Sequence, residues 1–76
     1  MPLAFVLISA DAKKIKQILA AIQKTNGVIE AYSVAGPHDI VAKLQAEKFG
    51  EIADIVTQKL QGISGVRNTL TLFAFE

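Results

Sequence analysis

Apolar and polar positions divide the 76-residue chain into six runs. Residues 3 to 9, LAFVLIS, are continuously apolar, the pattern of a strand covered on both faces. From Asp11, read as an N-cap, DAKKIKQILAAIQKT carries Ile15, Ile18, Leu19 and Ile22 on one helical stripe, and the run stops at Asn26-Gly27. VIEAYSVA (28–35) and DIVAKLQA (39–46) are strand-like, and the short Gly-Pro link between them predicts a hairpin. A second stripe, Phe49, Ile52, Ala53, Val56 and Leu60, closes at Gln61-Gly62. The last run, GVRNTLTLFAF (65–75), reads as a strand.

The order β-α-β-β-α-β is that of the split βαβ unit. It predicts an α+β, ferredoxin-like domain over residues 1–76, with a four-stranded antiparallel sheet and both helices on one face. An internal echo supports this: NGVIEAYSVA after the first helix and SGVRNTLTLF after the second both put Gly-Val at a helix-to-strand joint. Strict alternation then sorts the faces. Ile29, Ala31, Ile40, Ala42, Leu44, Val66, Leu70 and Leu72 are expected under the helices. Tyr32, Val34, Val41, Phe73 and Phe75, with Thr69 and Thr71 among them, are expected on the far face. That face is too apolar to stand in water, so it is predicted to pack against the same face of a second subunit as an isologous dimer.

Composition adds to the case for association. Apolar residues make up 51% of the chain before glycine is counted, against roughly 45–50% with glycine for an average soluble domain. A chain this short buries only about two-thirds of its unfolded surface. It has no cysteine, which excludes disulfides, thiol nucleophiles and thiolate metal sites. Eight basic and seven acidic residues give a net charge of +1, too small and too dispersed for a direct grip on nucleic acid or anionic lipid. The N-terminal apolar run has no basic residue before it and is far short of the roughly 20 residues that span a bilayer. It reads as a buried strand of a cytoplasmic protein with no membrane partner.

Candidate chemistry is sparse. His38 is the single histidine, so one chain cannot build a multi-histidine metal site or a hydrolytic triad. Asp39 opens a strand beside it, and neighbours on a strand point to opposite faces, a poor arrangement for an acid–base pair. Gly36-Pro37 reads as a turn that could also leave backbone open to a small ligand. Thr69 and Thr71 put two hydroxyls on one face, either an ordinary strand pair or donors for a carboxylate or amino group. Lys13, Lys14 and Lys16 read as a solvated helix face. The aromatic residues lack the glycine-rich basic signature of an RNA-recognition sheet.

Taken in order, V-x-G-x-x-D (Val34, Gly36, Asp39), I-x-G-V (Ile63, Gly65, Val66) and T-x-T (Thr69, Thr71) resemble the C-terminal effector domain of leucine-responsive/AsnC (Lrp/AsnC) transcription regulators, the RAM domain. The resemblance implies a non-enzymatic module without cofactor or catalytic residue. It would dimerise through its sheet, assemble into a ring of dimers and bind a free amino acid at the joints. The site carried over is Gly36, Asp39, Thr69 and Thr71, with Val34, Pro37, His38 and Ile40 as neighbours; His38 stands where the family frequently has an aromatic residue. Full-length members carry a DNA-binding helix-turn-helix domain, so this chain resembles a stand-alone version. Two further readings stay open: a small dimeric ferredoxin-like enzyme of the cofactor-free monooxygenase type, using His38 and Asp39, and a structural partner that inserts into rings of full-length regulators.

Overall fold

The computed structural model describes residues 2–75. The elements follow the predicted order: β1 (Leu3–Ala10), a 3-10 turn (Ala12–Lys14), α1 (Ile15–Gln23), β2 (Val28–Ser33), β3 (Ile40–Gln45), α2 (Phe49–Asp54) with a π-helical continuation (Ile55–Leu60), and β4 (Val66–Ala74). All three pairings are antiparallel and the strand order is β2-β3-β1-β4. This is the ferredoxin-like arrangement.

Local chemistry sets the helix ends. Asp11 caps the first helical turn, its Oδ1 accepting from the Lys13 amide at 3.0 Å. Ile18 and Ile22 from the predicted stripe of α1 are fully buried, as are Ile52 and Leu60 from the second stripe. Both stripes rest on Ala4, Val6 and Ile8 of β1 and Ile40, Ala42 and Leu44 of β3, all at 0% exposure, which form one core. Truncating any of the large side chains here to alanine would cost about 2–5 kcal/mol.

The far face of the sheet is not covered. Phe5 is 38% exposed, and Leu70 and Leu72 are each 48% exposed. The continuous apolar run of β1 is therefore two alternating sets: Ala4, Val6, Ile8 and Ala10 are buried in the core, and Leu3, Phe5, Leu7 and Ser9 lie on the open face.

Val66 faces the core as expected, but the expected faces of β4 beyond it are reversed. Ala10 pairs with Val66, but Ser9 pairs with Asn68, so Arg67 is an extra residue in a β-bulge. A bulge inverts every side chain beyond it. Thr69, Thr71 and Phe73 consequently pair with the core residues Ile8, Val6 and Ala4 and face the helices, whereas Leu70 and Leu72 join Leu7 and Phe5 on the open face. A second bulge in β2 has the same effect on Ile29: Val28 pairs with Leu44 and Glu30 with Lys43, leaving Ile29 unpaired and 48% exposed rather than under the helices.

Candidate functional site

The β2–β3 hairpin is built around Asp39. Its amide donates to the Ile8 carbonyl at 2.9 Å and its carbonyl accepts from the Val34 amide at 2.8 Å. Its carboxylate Oδ2 accepts from the Ala10 amide at 2.9 Å. Three hydrogen bonds tie this one residue to both strand β1 and the far side of its own turn. The aspartate is thus a brace for the hairpin.

His38 is half-buried beside it, its Nδ1 3.2 Å from the Ser9 hydroxyl. The two candidate acid–base residues hold different partners on β1 and do not hydrogen-bond each other. Between the anchored ends, Val34, Gly36 and Pro37 are exposed. Gly36 has φ of +146°, and nothing lies within 4 Å of where a β-carbon would stand. The result is an open stretch of backbone on a rigid base. Ile40, next in the chain, is fully buried and belongs to the core.

Thr69 and Thr71 lie on β4, across β1 from the hairpin, and are half-buried beneath the α2 side. The Thr69 hydroxyl accepts from Gln61 Nε2 at 2.9 Å. Further along the same face, Phe73 meets Phe49 edge-on at 5.3 Å, and Phe75 lies 5.6 Å from Phe49. Thr69 faces Ile8, whose carbonyl accepts the Asp39 amide. Hairpin and threonine strand therefore reach the same end of the sheet, but two strand spacings of about 4.8 Å keep them apart.

Clefts open elsewhere on the surface. One of about 390 Å³ lies between the α1–β2 joint and the π-helical segment. Another of about 280 Å³ follows β2, and one of about 140 Å³ sits on the open face beside Phe5, Tyr32 and Val41. A fourth, about 410 Å³, is lined by Gln61, Val66, Arg67, Asn68 and Thr69. None of the four is lined by Gly36, His38 or Asp39. On the open face, Tyr32 donates to Glu30 Oε1 at 2.8 Å, and this bond, reinforced by the carboxylate's charge, raises the phenol above its ordinary value. Ser9, Gln61, Arg67 and Asn68 are site neighbours that sequence reasoning missed. The Gly-Val echo was the available signal for Arg67, which follows it directly.

Comparison with known proteins bears on the family and the fold. Residues 3–76 match the family described as the Lrp/AsnC ligand binding domain. An uncharacterized HTH-type transcriptional regulator of Pyrococcus furiosus is 40% identical over 95% of this chain and 50% of its own length. The chain spans about half the length of the curated relatives it matches. A crystal structure of a Thermus thermophilus protein superposes with a TM-score of 0.95 at 39% identity, covering 100% of this chain and 95% of that one. A Neisseria meningitidis transcriptional regulator, solved as a complex with L-Met, shares the fold with a TM-score of 0.86 at 19% identity, over 99% of this chain and 50% of that one.

Proposed function

This chain belongs to the Lrp/AsnC ligand-binding domain family, and on that premise we propose that it is a non-enzymatic effector-binding and oligomerisation module that takes a small amino acid where subunits meet. The process it serves is regulation of transcription or of amino acid metabolism. The observation that carries the reading is the hairpin. Gly36 and Pro37 are open to solvent on a turn that Asp39 fixes with three hydrogen bonds, and none of the four clefts described above is lined by them. Such a half-site gains an enclosure when another subunit meets it.

The open sheet face supports association. Phe5, Leu7, Val41, Leu70 and Leu72 form an apolar surface that a second copy would cover, giving a dimer from which a ring of dimers is built. In that assembly Val34, Gly36, Pro37, His38, Asp39 and Ile40 form one wall of the site and Thr69 and Thr71 the other. Ile40 contributes by holding the hairpin to the core. Full-length regulators of the family are a second kind of partner, since they carry the same domain. An amino acid as ligand is supported by the L-Met complex of the Neisseria protein with this fold.

The ligand acts by binding one assembly state better than another. Thermal stability by scanning fluorimetry against the twenty amino acids, with size by light scattering, tests the reading. At least one amino acid is expected to raise the melting temperature and change the size distribution. No stabilisation by any of them, with unchanged size, overturns it.

A further inference from the structure

We propose that Gln23 is a guard on the outer edge of β2: its side-chain amide occupies the backbone carbonyl on which a strand from a second copy of this chain would otherwise pair. The inference is independent of the effector reading above.

β2 ends the sheet, and an edge strand presents unpaired backbone groups to other chains. Which groups point outward follows from the hairpin. The Val34 amide donates to the Asp39 carbonyl at 2.8 Å, so Val34 turns its backbone toward its own hairpin partner. Backbone direction alternates along an antiparallel strand, so Tyr32 opposite Val41 does the same, while Ala31 and Ser33 turn their amides and carbonyls outward. A groove of about 280 Å³ follows this edge, where an added strand would lie. Gln23, the last residue of α1, reaches over the edge and donates from Nε2 to the Ala31 carbonyl at 3.1 Å. It stands in for the amide that an added strand would bring.

Other protection on this edge is slight. β2 has neither proline nor lysine, the residues that commonly blunt an exposed edge. Its one charge, Glu30, is engaged on the open sheet face by Tyr32 at 2.8 Å and Lys43 at 3.8 Å. Its bulge displays Ile29, which is apolar and half exposed. The opposite edge is defended differently, because the bulge of β4 displays the charge of Arg67. The equivalent glutamine there is Gln61, which like Gln23 stands four residues before the joint glycine. It donates to the Thr69 hydroxyl at 2.9 Å and covers no backbone carbonyl. The guard is therefore a property of what Gln23 reaches, not of its place on the helix.

Sedimentation velocity over a concentration series, with amide hydrogen exchange followed by NMR, tests the guard. All variants are compared with wild type, whatever assembly wild type forms. Gln23→Met keeps the length of the side chain and removes the donor. It is expected to form larger species at a concentration about tenfold lower than wild type, the weight of about one hydrogen bond. The Ala31 and Ser33 amides should exchange more slowly as those species form. Gln23→Lys keeps a donor and adds a charge to the edge, and should retain wild-type size. Gln61→Met should retain it too. Amides of β1 and β3 report that each variant is folded. Gln23→Met with the size and exchange of wild type overturns the proposal. So does Gln61→Met associating as strongly, since either loss would then act through stability alone. Larger species in which Ala31 and Ser33 still exchange freely put the contact on another surface and also overturn it.

Discussion

The two halves of the domain, β1-α1-β2 and β3-α2-β4, use the same joint for different ends. Each helix is followed by Gly-Val, with φ of +96° at Gly27 and +99° at Gly65. The Val28 amide donates to the Thr25 carbonyl and the Val66 amide to the Ile63 carbonyl, both at 3.1 Å. Each glycine carbonyl accepts from a neighbouring backbone amide at 2.9 Å, Gln45 for Gly27 and Asp11 for Gly65. A bulge follows immediately in both halves, at Ile29 and at Arg67. What differs is the side chain in the bulge and its brace. Gln23 Nε2 donates to the Ala31 carbonyl at 3.1 Å beside the first, and the Asp39 carboxylate holds Ala10 beside the second. The backbone device is architectural, and the exposed residue it displays is where the halves diverge.

The largest effect is expected from removing the shared joint. A β-carbon at Gly65 would lie 2.8 Å from Ile18 Cδ1 and 3.1 Å from Lys14 Cδ at a positive φ. Gly65→Ala should cost about 2–4 kcal/mol in urea unfolding, from left-handed strain and overpacking together. Gly27→Ala meets only the end of Ile55 closely and should fall at the lower end of that range. A cost confined to one half would break the comparison.

The braces should separate the halves next. Asp39→Ala strands the amide of Ala10, which is only 6% exposed, and should cost about 1–3 kcal/mol, with Asp39→Asn recovering most of it. Gln23→Ala releases an acceptor on an edge strand and should cost about 1 kcal/mol or less. Equal losses would mean that Asp39 does no more for its bulge than Gln23 does for the other.

The smallest effect is electrostatic and belongs to the first half alone. Tyr32 is the one tyrosine, and its hydrogen bond to Glu30 raises its ionisation. Phenolate absorbance should therefore appear above the ordinary value of 10.0, and Glu30→Gln should lower the midpoint. The folded-state value is the higher one, so the contribution to stability is present below the ordinary phenol value and is lost as pH rises through the folded value. A midpoint unmoved by Glu30→Gln would remove this distinction between the halves.

Much of this was legible in the residues. Ile15, Ile18, Leu19 and Ile22 announced α1, Asp11 its cap and Asn26-Gly27 its end. Alternation in DIVAKLQA gave β3 its faces correctly, because no bulge interrupts that strand between Ile40 and Leu44. The same rule failed in β4 one residue after Val66 and misplaced Ile29 in β2. The ordered Gly36, Asp39, Thr69 and Thr71 pointed to the family now identified. They did not reveal that the Asp39 carboxylate holds Ala10 or that Thr69 turns toward Gln61.

By itself, the sequence determined the element order, the helix stripes, the hairpin and the family, since each depends on spacing within a few residues or on an ordered motif. Only the tertiary structure decided which face Thr69, Thr71, Leu70 and Leu72 occupy and where Arg67 points. Those outcomes depend on the pairing of β4 with β1, in which one unpaired residue at the bulge inverts all that follows. A bulge is a relation between two strands distant in sequence, and the alternation of either strand alone does not contain it.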